Sequence, residues 1–483
     1  MNVRSGVVAG VITMVMATSA VQAQTQPPKL AATPPMGWNS WDSYGLTITE
    51  PQFRDNVTVL ARQFKKFGWN YAVIDEGWFF YNPQDRPHPD TLHYALDRFG
   101  RYVPVPARFP STLAKGSKPG DSSAPLEPGM KLPVTIENTS FQALSDWVHS
   151  QGLKFGIHIV RGIPRAAVER NLPIEVSAFK AQDAADQTDV CPWDPTNWGV
   201  KDNPAGQAWY DSVVRQYAGW GVDLLKVDCI AQNPYKADEI RMIRRAIDKT
   251  GRPIVLSLSP GPTSLDHASE VSTLANMWRI SDDVWDLWAN TTGKPFPQSL
   301  ASQFGRTAAW AQYAGPGHWP DADMLPIGEL KPMPGYGHAR TSRLTPTEQQ
   351  TMLTLWSMAR SPLILGANLT LLDDATAALL TNPDLLRIDQ TALASREALH
   401  EGNVIAWTAD LPPGTPGGYT TALALFNVGD EIVTLDSSFE AYGLPAQTYL
   451  AKDVWSGRVL GPKKSVESLS LEPHASALWL LRR

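Results

Sequence analysis

Short apolar segments recur along most of the chain, and each is followed by a longer stretch of helical periodicity. Eight such segments lie between about residues 35 and 367, and most of them end in polar residues: Met36–Ser40, Tyr71–Gly77, Lys154–Val160, Leu224–Cys229, Ile254–Pro260, Met277–Asp283, His318–Leu325 and Pro362–Asn368. Near-continuous apolar runs of this kind are typical of a parallel sheet covered by helices. Eight repeats, with no glycine-rich dinucleotide-binding turn, favour a (β/α)₈ TIM barrel over a doubly wound sheet.

The stretches between the apolar runs contain helix signals and one irregular insertion. Ala208–Gly219 has helical rather than alternating periodicity, and Thr345–Met358 opens with Thr345-Pro346-Thr347-Glu348, which is a good helix start. Residues 109–133 are rich in Pro, Ser, Gly and Lys, which predicts a loop after the second repeat.

The pattern changes near residue 392, where short alternating strands replace the longer repeats. They lie at Val404–Thr408, Thr421–Phe426, Ile432–Leu435, Thr448–Asp453 and Ala475–Leu481, and turn signals such as Pro412-Pro413-Gly414 separate them. This pattern predicts a C-terminal antiparallel β-sandwich domain. We therefore expect a signal peptide at 1–23, a barrel at 30–388 and a β domain at 392–483.

The first residues have the pattern of an export signal. Arg4 precedes the apolar run Val7–Ala17, and Val21-Gln22-Ala23 is a small-x-small cleavage site, although an uncleaved anchor is the alternative. We expect a periplasmic or secreted protein. An oxidising compartment favours a disulfide between Cys191 and Cys229, the only two cysteines, with two buried free thiols as the alternative.

Charge and composition argue against some classes of binding partner. The chain has 42 Lys and Arg against 48 Asp and Glu, so there is no basic excess to bind nucleic acid or an anionic membrane. No later apolar run is long enough to span a bilayer. The hydrophobic fraction of 43% is enough to form a large core and excludes a disordered chain.

Polar and charged side chains cluster where the apolar runs end. In a (β/α)₈ barrel these ends meet at one mouth, where active sites are built, so residues far apart in sequence would come together. The residues concerned belong to five of the eight runs: Asp75, Glu76, His158, Lys226, Asp228, Arg279, Asp282, Asp283, Asp321 and Asp323.

This set of side chains suits an uncharged polyol. Carboxylates accept hydrogen bonds from hydroxyls, and two of them suffice to hydrolyse a glycosidic bond. Nearby tryptophans could pack on sugar C–H groups: Trp38, Trp41, Trp78 and Trp193. A metal site is the main alternative, but no His-x-His or His-x-x-x-His spacing occurs and Lys226 and Arg279 would oppose a cation. Ser-His-Asp chemistry lacks a Gly-x-Ser-x-Gly elbow.

Four motifs resemble those of glycoside hydrolase family 27, the melibiase-type α-galactosidase family. They follow one another in the family's order: Pro35-Met36-Gly37-Trp38-Asn39-Ser40-Trp41, Leu224-Leu225-Lys226-Val227-Asp228-Cys229, Trp278-Arg279-Ile280-Ser281-Asp282-Asp283 and Trp319-Pro320-Asp321-Ala322-Asp323-Met324-Leu325. The β-rich tail is similar to the C-terminal domain of that family.

The resemblance implies a retaining mechanism with Asp228 as nucleophile and Asp283 as acid/base, and no cofactor. Lys226 and Arg279 would hold sugar hydroxyls. The remaining implied pocket residues are Trp38, Asp75, Glu76, His158, Cys191, Asp323 and Met324. Asp282 competes with Asp283, but side chains alternate along a strand, so we expect only one of the two to face the mouth. The implied substrate is an oligosaccharide or polysaccharide with terminal α-galactosyl-like ends.

One departure from the family pattern bears on substrate choice. The second strand ends in Asp75-Glu76, where the family usually has Asp-Asp, and the extra methylene reaches about 1.5 Å further. It would crowd the hydroxymethyl group of galactose, which β-L-arabinopyranose lacks, and such a difference can shift preference about 10–200-fold. α-Galactosidase is the first prediction and β-L-arabinopyranosidase the alternative. A carbohydrate-binding protein without catalysis is the alternative from another class.

Overall fold

A computed structural model of the protein describes residues 1, 29–85, 92–113, 134–135, 138–333 and 336–483. Within them, eight parallel strands form one curled sheet in chain order: Met36–Asn39, Tyr71–Ile74, Lys154–Val160, Leu224–Asp228, Val255–Leu258, Met277–Arg279, Trp319–Asp321 and Leu363–Leu365. The eighth strand pairs with the first. The seventh strand meets the eighth just beyond its end, where the amide of Leu325 donates to the carbonyl of Ile364 at 2.8 Å. The predicted barrel is confirmed, and every strand lies inside its predicted segment.

The barrel interior is filled with side chains, most of them near the first residues of the strands. They form one buried cluster: Tyr71, Val73, Leu224, Val255, Met277, Trp319 and Ile364. Alternate residues of the same strands, such as Ala72 and Leu225, face outward into the larger core beneath the helices. Both faces of each strand are therefore apolar, which explains the near-continuous apolar runs. The carboxyl-terminal mouth, by contrast, remains open for binding.

The α-helices of the described residues are Trp41–Tyr44, Glu50–Val59, Gln142–Ser150, Arg165–Glu169, Ala181–Ala184, Pro204–Gly219, Ala237–Thr250, Ala268–Leu274, Gln303–Trp310, Pro346–Ala359, Asp374–Leu380 and Pro383–Thr391. None of the described helices is both long and apolar enough to cross a bilayer.

Capping interactions explain where two of these helices begin. Thr345 and Glu348 form a reciprocal capping box, in which the Glu348 amide donates to the Thr345 hydroxyl at 3.2 Å, so the predicted start holds. The helix Pro204–Gly219 begins four residues earlier than its periodicity predicts. The reason is that the Asn203 side chain accepts from the Gly206 amide at 2.7 Å and Pro204 suits the first helical position.

Short strands that the sequence analysis did not predict surround the mouth of the barrel. The largest group is a three-stranded antiparallel sheet between the third barrel strand and its return helix: Ile163–Pro164, Asn197–Val200 and Ala185–Val190. Two further pairs join Glu329–Leu330 to Arg340–Thr341 and Ala95–Leu96 to Val134–Thr135. The predicted loop 109–133 lies mostly outside the described residues, as does the predicted signal peptide except for Met1.

The C-terminal region is an antiparallel sandwich, as predicted. Its larger sheet runs in the order Leu393–Glu401, Val404–Asp410, Thr421–Asn427, Ser476–Arg482, Tyr449–Asp453 and Val459–Lys463, and Val433–Ser438 pairs with Ser465–Leu471 in the second sheet. Leu425 and Trp479 of the first sheet share a buried cluster with Leu435 and Val466 of the second. The sequence analysis missed three strands, at 393–401, 459–463 and 465–471, because their alternation between apolar and polar residues is weak.

One barrel helix, Pro346–Ala359, joins the two parts of the molecule. The Thr351 hydroxyl donates to the carbonyl of His474 at 2.7 Å. The His474 ring also stacks on Trp288, with centroids 4.0 Å apart, and Phe304 packs against Phe426. The sandwich thus covers one outer side of the barrel.

Candidate active site

A cavity of about 560 Å³ opens at the carboxyl-terminal mouth of the barrel. Seven of the eight strands, or the loops that follow them, contribute to its lining: Trp41, Asp75, Glu76, Pro192, Trp193, Lys226, Asp228, Asn233, Ser259, Pro260, Asp282, Asp283, Phe296 and Met324. Its volume lies within the range of about 300–1,000 Å³ that is usual for small-molecule sites. Asp228 and Asp283, which the sequence analysis singled out, therefore border the same hollow.

A larger groove of about 1030 Å³ lies at the opposite end of the barrel, but it is a weaker candidate. Three of its four arginines form ion pairs, including Arg244 with Asp248 and Arg252 with Asp223. Barrel enzymes build their active sites at the carboxyl ends of the strands, so the smaller cavity is the candidate site.

Asp228 is the last residue of the fourth strand, and both of its carboxylate oxygens have partners. Oδ2 lies 3.1 Å from His158 Nε2, and Oδ1 accepts a hydrogen bond from the Cys229 amide. Burial by itself raises the pKa of Asp228, but the hydrogen bond and charge of His158, together with the charge of Lys226, lower it below its usual value. The arrangement holds Asp228 as a carboxylate.

His158 is buried on the third strand and is the counterpart of that carboxylate. Burial lowers the pKa of His158, but Asp75 and Asp228 overcome this effect and raise it. The third and fourth strands pair in parallel register with His158 opposite Lys226, which explains why two basic side chains lie beside the carboxylates of Asp75 and Asp228. The acidic and basic groups here stabilise one another's charged forms.

Asp75 forms a buried ion pair at the end of the second strand. Its Oδ2 accepts from Asn39 Nδ2 at 2.7 Å and from Lys226 Nζ at 2.8 Å. Burial raises the pKa of Asp75, yet Lys226 and His158 lower it well below the usual range. Asp75 is therefore an ionised acceptor on the cavity wall.

Asp283 also lines the cavity and lies four residues beyond the end of the sixth strand. Arg279 Nη2 is 3.3 Å from Asp283 Oδ1 and 2.7 Å from Asp323 Oδ2. The side chain of Asp283 is 36% exposed, whereas those of Arg279 and Asp323 are buried. Arg279 thus supports Asp283 from behind, and Asp283 itself faces solvent.

The expectation that only one of Asp282 and Asp283 faces the mouth is wrong. Both residues line the cavity, and the Asp282 carboxylate also accepts from the Asp283 amide at 3.0 Å. The sixth strand ends at Arg279, so the strict alternation of a strand does not extend to these two residues.

Glu76 lines the cavity and is only 4% exposed, and the backbone around it is held in place. The Asp75 amide donates to Ser40 Oγ at 3.0 Å, and the Glu76 amide donates to Asp75 Oδ1 at 2.9 Å. The next residue, Gly77, has φ of +91° and would place a Cβ 3.0 Å from Leu46. Two hydrogen bonds therefore hold the backbone at Glu76, and Leu46 lies too close to Gly77 to leave room for a side chain there.

Two of the tryptophans that the sequence analysis placed near the sugar lie elsewhere. Trp38 is fully buried on the outer face of the first strand, where its indole N–H donates to the carbonyl of Ala367 at 2.8 Å. Trp78 is also fully buried and donates to the carbonyl of His158. Their placement in the sugar pocket is corrected here, because strand alternation and core packing direct them away from it. Trp41 and Trp193 do line the cavity.

Several other predicted pocket residues form the wall behind the cavity. His158 and Arg279 contact its lining carboxylates, Asp323 contacts Arg279, and Met324 borders the cavity directly. Cys191 is buried and forms a disulfide with Cys229, with Cα atoms 6.0 Å apart. The predicted pairing is present, and it anchors the loop that carries Pro192 and Trp193. Export from the cell stays a prediction.

The sequence analysis missed some residues that line the cavity, notably Asn233, Pro260 and Phe296. Asn233 and Pro260 follow strand ends within five residues, so their position was a usable signal. Phe296 lies 17 residues beyond the sixth strand, and no periodic pattern marks it. Among the described residues, no group of three or more His, Cys, Asp and Glu side chains is arranged to hold a metal ion.

Comparisons with known proteins agree with this geometry. The family model of α-galactosidase A matches residues 195–391, and that of the α-galactosidase C-terminal β-sandwich domain matches residues 401–481. A crystal structure of a GH27 β-L-arabinopyranosidase from Geobacillus stearothermophilus is 38% identical, covers 94% of this chain and 97% of its own, and superposes with a TM-score of 0.81. The chain belongs to glycoside hydrolase family 27.

More distant family 27 relatives carry α-galactosidase names. The α-galactosidase of Coffea arabica is 27% identical over 457 residues and covers 94% of both chains. Alpha-galactosidase A of Cellvibrio japonicus is 25% identical over 474 residues, covering 94% of this chain and 93% of its own. The protein is therefore a glycoside hydrolase, and the alternative of a non-catalytic sugar-binding protein is not carried further.

Proposed function

We propose that this family 27 protein is a retaining exo-glycosidase, with Asp228 as nucleophile and Asp283 as acid/base. The proposal rests on one observation: two carboxylates in different environments line the same cavity. Asp228 is held ionised by His158 and Lys226, and Asp283 reaches solvent. A retaining mechanism needs one carboxylate that attacks and one that exchanges a proton.

In the first step, an Asp228 oxygen bonds to the anomeric carbon while the bond from that carbon to the glycosidic oxygen breaks. Asp283 gives its proton to the departing oxygen, so the aglycone leaves as a neutral alcohol. In the second step, water attacks the anomeric carbon, Asp283 takes up a water proton, and Asp228 is released as a carboxylate. Two displacements at one carbon retain its configuration, which NMR of the first-formed sugar tests. An inverted product contradicts the mechanism.

The remaining polar groups suit the hydroxyls of one pyranose ring. Asp75 is an ionised acceptor for hydroxyl protons, and the Lys226 ammonium beside it is a donor. Arg279 lies behind Asp283 and holds its carboxylate beside the ring. The mostly buried inner end suits the terminal sugar of a chain rather than an internal unit, which supports exo-acting hydrolysis.

Two terminal sugars fit this site by stereochemistry: α-D-galactosyl and β-L-arabinopyranosyl, which differ by the exocyclic hydroxymethyl group. α-Galactosidase is the prediction from sequence, and the α-galactosidase names of many relatives support it. Two observations favour the second sugar. The backbone at Glu76 is held by hydrogen bonds to Ser40 Oγ and Asp75 Oδ1, so we expect the longer side chain to extend further into the cavity. The 38% identical relative is named a β-L-arabinopyranosidase. We infer activity on both sugars, with a preference for β-L-arabinopyranosides.

Rates on the p-nitrophenyl β-L-arabinopyranoside and α-D-galactopyranoside, measured side by side, test this preference. Glu76→Asp shortens the carboxylate by one methylene and should shift the kcat/KM ratio toward the galactoside by about 10–200-fold. Asp75→Glu is the matched control, because it lengthens the neighbouring carboxylate and should give no gain on the galactoside. If Glu76→Asp leaves the kcat/KM ratio unaltered, Glu76 does not exclude the hydroxymethyl group of galactose. The prediction of an α-galactosidase is then preferred.

A further inference from the structure

The rim of the active-site cavity differs in chemistry from its interior. The interior holds Asp75, Glu76 and Lys226, whereas five uncharged lining residues besides Met324 are partly or fully exposed: Trp41, Pro192, Trp193, Asn233 and Phe296. We call these five residues the aromatic rim. A terminal sugar that occupies the charged interior leaves the rim facing whatever is bonded to that sugar.

Phe296 is the most exposed large apolar residue of the rim, with 41% of its surface accessible. Its ring meets the Tyr336 ring edge-on at 5.6 Å between centroids, and Tyr336 in turn packs against Trp285 at 5.1 Å. The adjacent Pro297 carbonyl accepts from Asn290 Nδ2 at 2.7 Å. The ring is thus presented to solvent in a supported position, which marks a binding surface better than a singly exposed side chain does.

The position of Phe296 along the chain places it on the side of the cavity where the leaving group departs. The Gln298 amide donates to the Asp283 carbonyl at 2.8 Å, and the Trp285 amide donates to the Gln298 carbonyl at 3.2 Å. Phe296 is therefore two residues from a segment that pairs with the residue assigned as acid/base. An acid that protonates the glycosidic oxygen must lie beside that oxygen, so the leaving group lies on this side as well.

We propose that Phe296 is the platform of an acceptor subsite that binds the leaving-group sugar. This inference rests on the proposed function. The ring offers its face to the apolar C–H face of a pyranose, and the exposed Asn233 amide offers a donor and an acceptor to its hydroxyls. The partly exposed carboxylates of Asp282 and Asp283 line the same cavity and would repel an anionic sugar, so a neutral sugar suits the subsite better than a uronic acid. The natural substrate is accordingly a neutral oligosaccharide or polysaccharide side chain.

The test compares two substrates with the same terminal sugar. One substrate is a disaccharide and the other is the methyl glycoside of the same sugar. The pair is measured once with a β-L-arabinopyranosyl group as the terminal sugar and once with an α-D-galactosyl group. Both release an alkyl alcohol, so the ratio of their kcat/KM values reports contacts to the second sugar. The wild-type protein should favour the disaccharide. Phe296→Ala should reduce that ratio about 3- to 10-fold, the effect of losing one aromatic contact.

Two further variants separate binding from damage to the fold. Phe296→Trp keeps a flat ring and should retain the ratio. Phe179→Ala removes a phenylalanine of similar exposure, 37%, outside the cavity and should not alter it. If Phe296→Ala keeps the wild-type ratio, or lowers both substrates equally, the acceptor subsite is wrong while the glycosidase assignment stands. If the wild type hydrolyses neither substrate in either series, the proposed function itself fails.

Discussion

The two flanks of the active-site cavity hold their carboxylates in different ways. On one flank, Asp228 ends a barrel strand, its side chain is 17% exposed, and both oxygens contact His158 or the Cys229 amide. On the other flank, Asp283 lies in a loop, is 36% exposed, and meets Arg279 at 3.3 Å. The same type of side chain is immobilised in one place and open to water in the other.

The flank of Asp228 is further restrained through the next residue. Cys229 has φ of +60°, a left-handed conformation that non-glycine residues rarely adopt. Its side chain is held by the disulfide to Cys191, and its carbonyl accepts from Arg161 Nε at 2.7 Å. Its amide donates to Asp228 Oδ1, so the restrained residue also holds one carboxylate oxygen. Restraints of this kind commonly cluster at functional sites, because surrounding contacts must compensate for the local strain.

The difference teaches that each environment matches the task proposed for its carboxylate. A nucleophile must be ionised and aimed at one carbon, so it gains from burial beside cations and from fixed hydrogen bonds. An acid/base must exchange a proton with water in every cycle, so it gains from partial exposure. Removing either carboxylate should therefore produce a different kind of defect.

The largest effect is expected for Asp228→Ala. Loss of the attacking oxygen should reduce hydrolysis by about 10⁴-fold or more, while binding of the free sugar is retained. Adding formate should restore part of the turnover, because a small carboxylate can enter the vacated space. Steady-state rates with and without formate, together with calorimetric sugar binding, measure this. Near-normal turnover by the variant would remove the nucleophile assignment.

A smaller and more selective effect is expected for Asp283→Ala. Hydrolysis of the methyl glycoside should fall about 10²–10⁴-fold, because its leaving group requires a proton. The glycosyl fluoride should be affected far less, since fluoride leaves without protonation. Asp282→Ala is the matched control. If the Asp282 variant shows this dependence on the leaving group and the Asp283 variant does not, Asp282 rather than Asp283 is the acid/base.

The smallest expected effect concerns Asp42, a carboxyl group that lies between the two flanks. Burial raises the pKa of Asp42 to about 7, and the negative charges of Asp283 and Asp75 add to this while Lys226 opposes it. A pKa raised in the folded state favours folding at low pH, and this contribution is lost as the pH rises from about 4 to about 7. The rise from the usual 3.8 corresponds to at most about 4 kcal/mol.

Asp42→Asn removes this titration, so its effect on stability should depend on pH. The unfolding free energy of the wild type, measured relative to the variant, should decrease between about pH 4 and pH 7 and then level off. Urea unfolding at a series of pH values measures the difference. A difference that is constant with pH would show that Asp42 does not titrate in this range.

The strands of the barrel were predictable because they are buried on both faces, which leaves a near-continuous apolar run in the sequence. The acidic residues that follow Leu224–Val227 and Met277–Arg279 were predictable for the same reason, since polar residues at strand ends converge on one mouth. The sandwich edge strand Leu393–Glu401 was not predictable, because none of its residues is buried and the apolar residues show little alternation.

By itself, the sequence determined the fold class and the family, because these depend on local periodicity and on motifs within single strands. The same motifs supplied the two carboxylates that we propose as catalytic. Only the tertiary structure decided that Trp38 packs into the core, that Asp282 shares the cavity with Asp283, and that Phe296 stands at the rim. Each of these outcomes depends on where a strand stops and how a loop folds back. Contacts between residues far apart in the chain determine both, and local patterns do not record them.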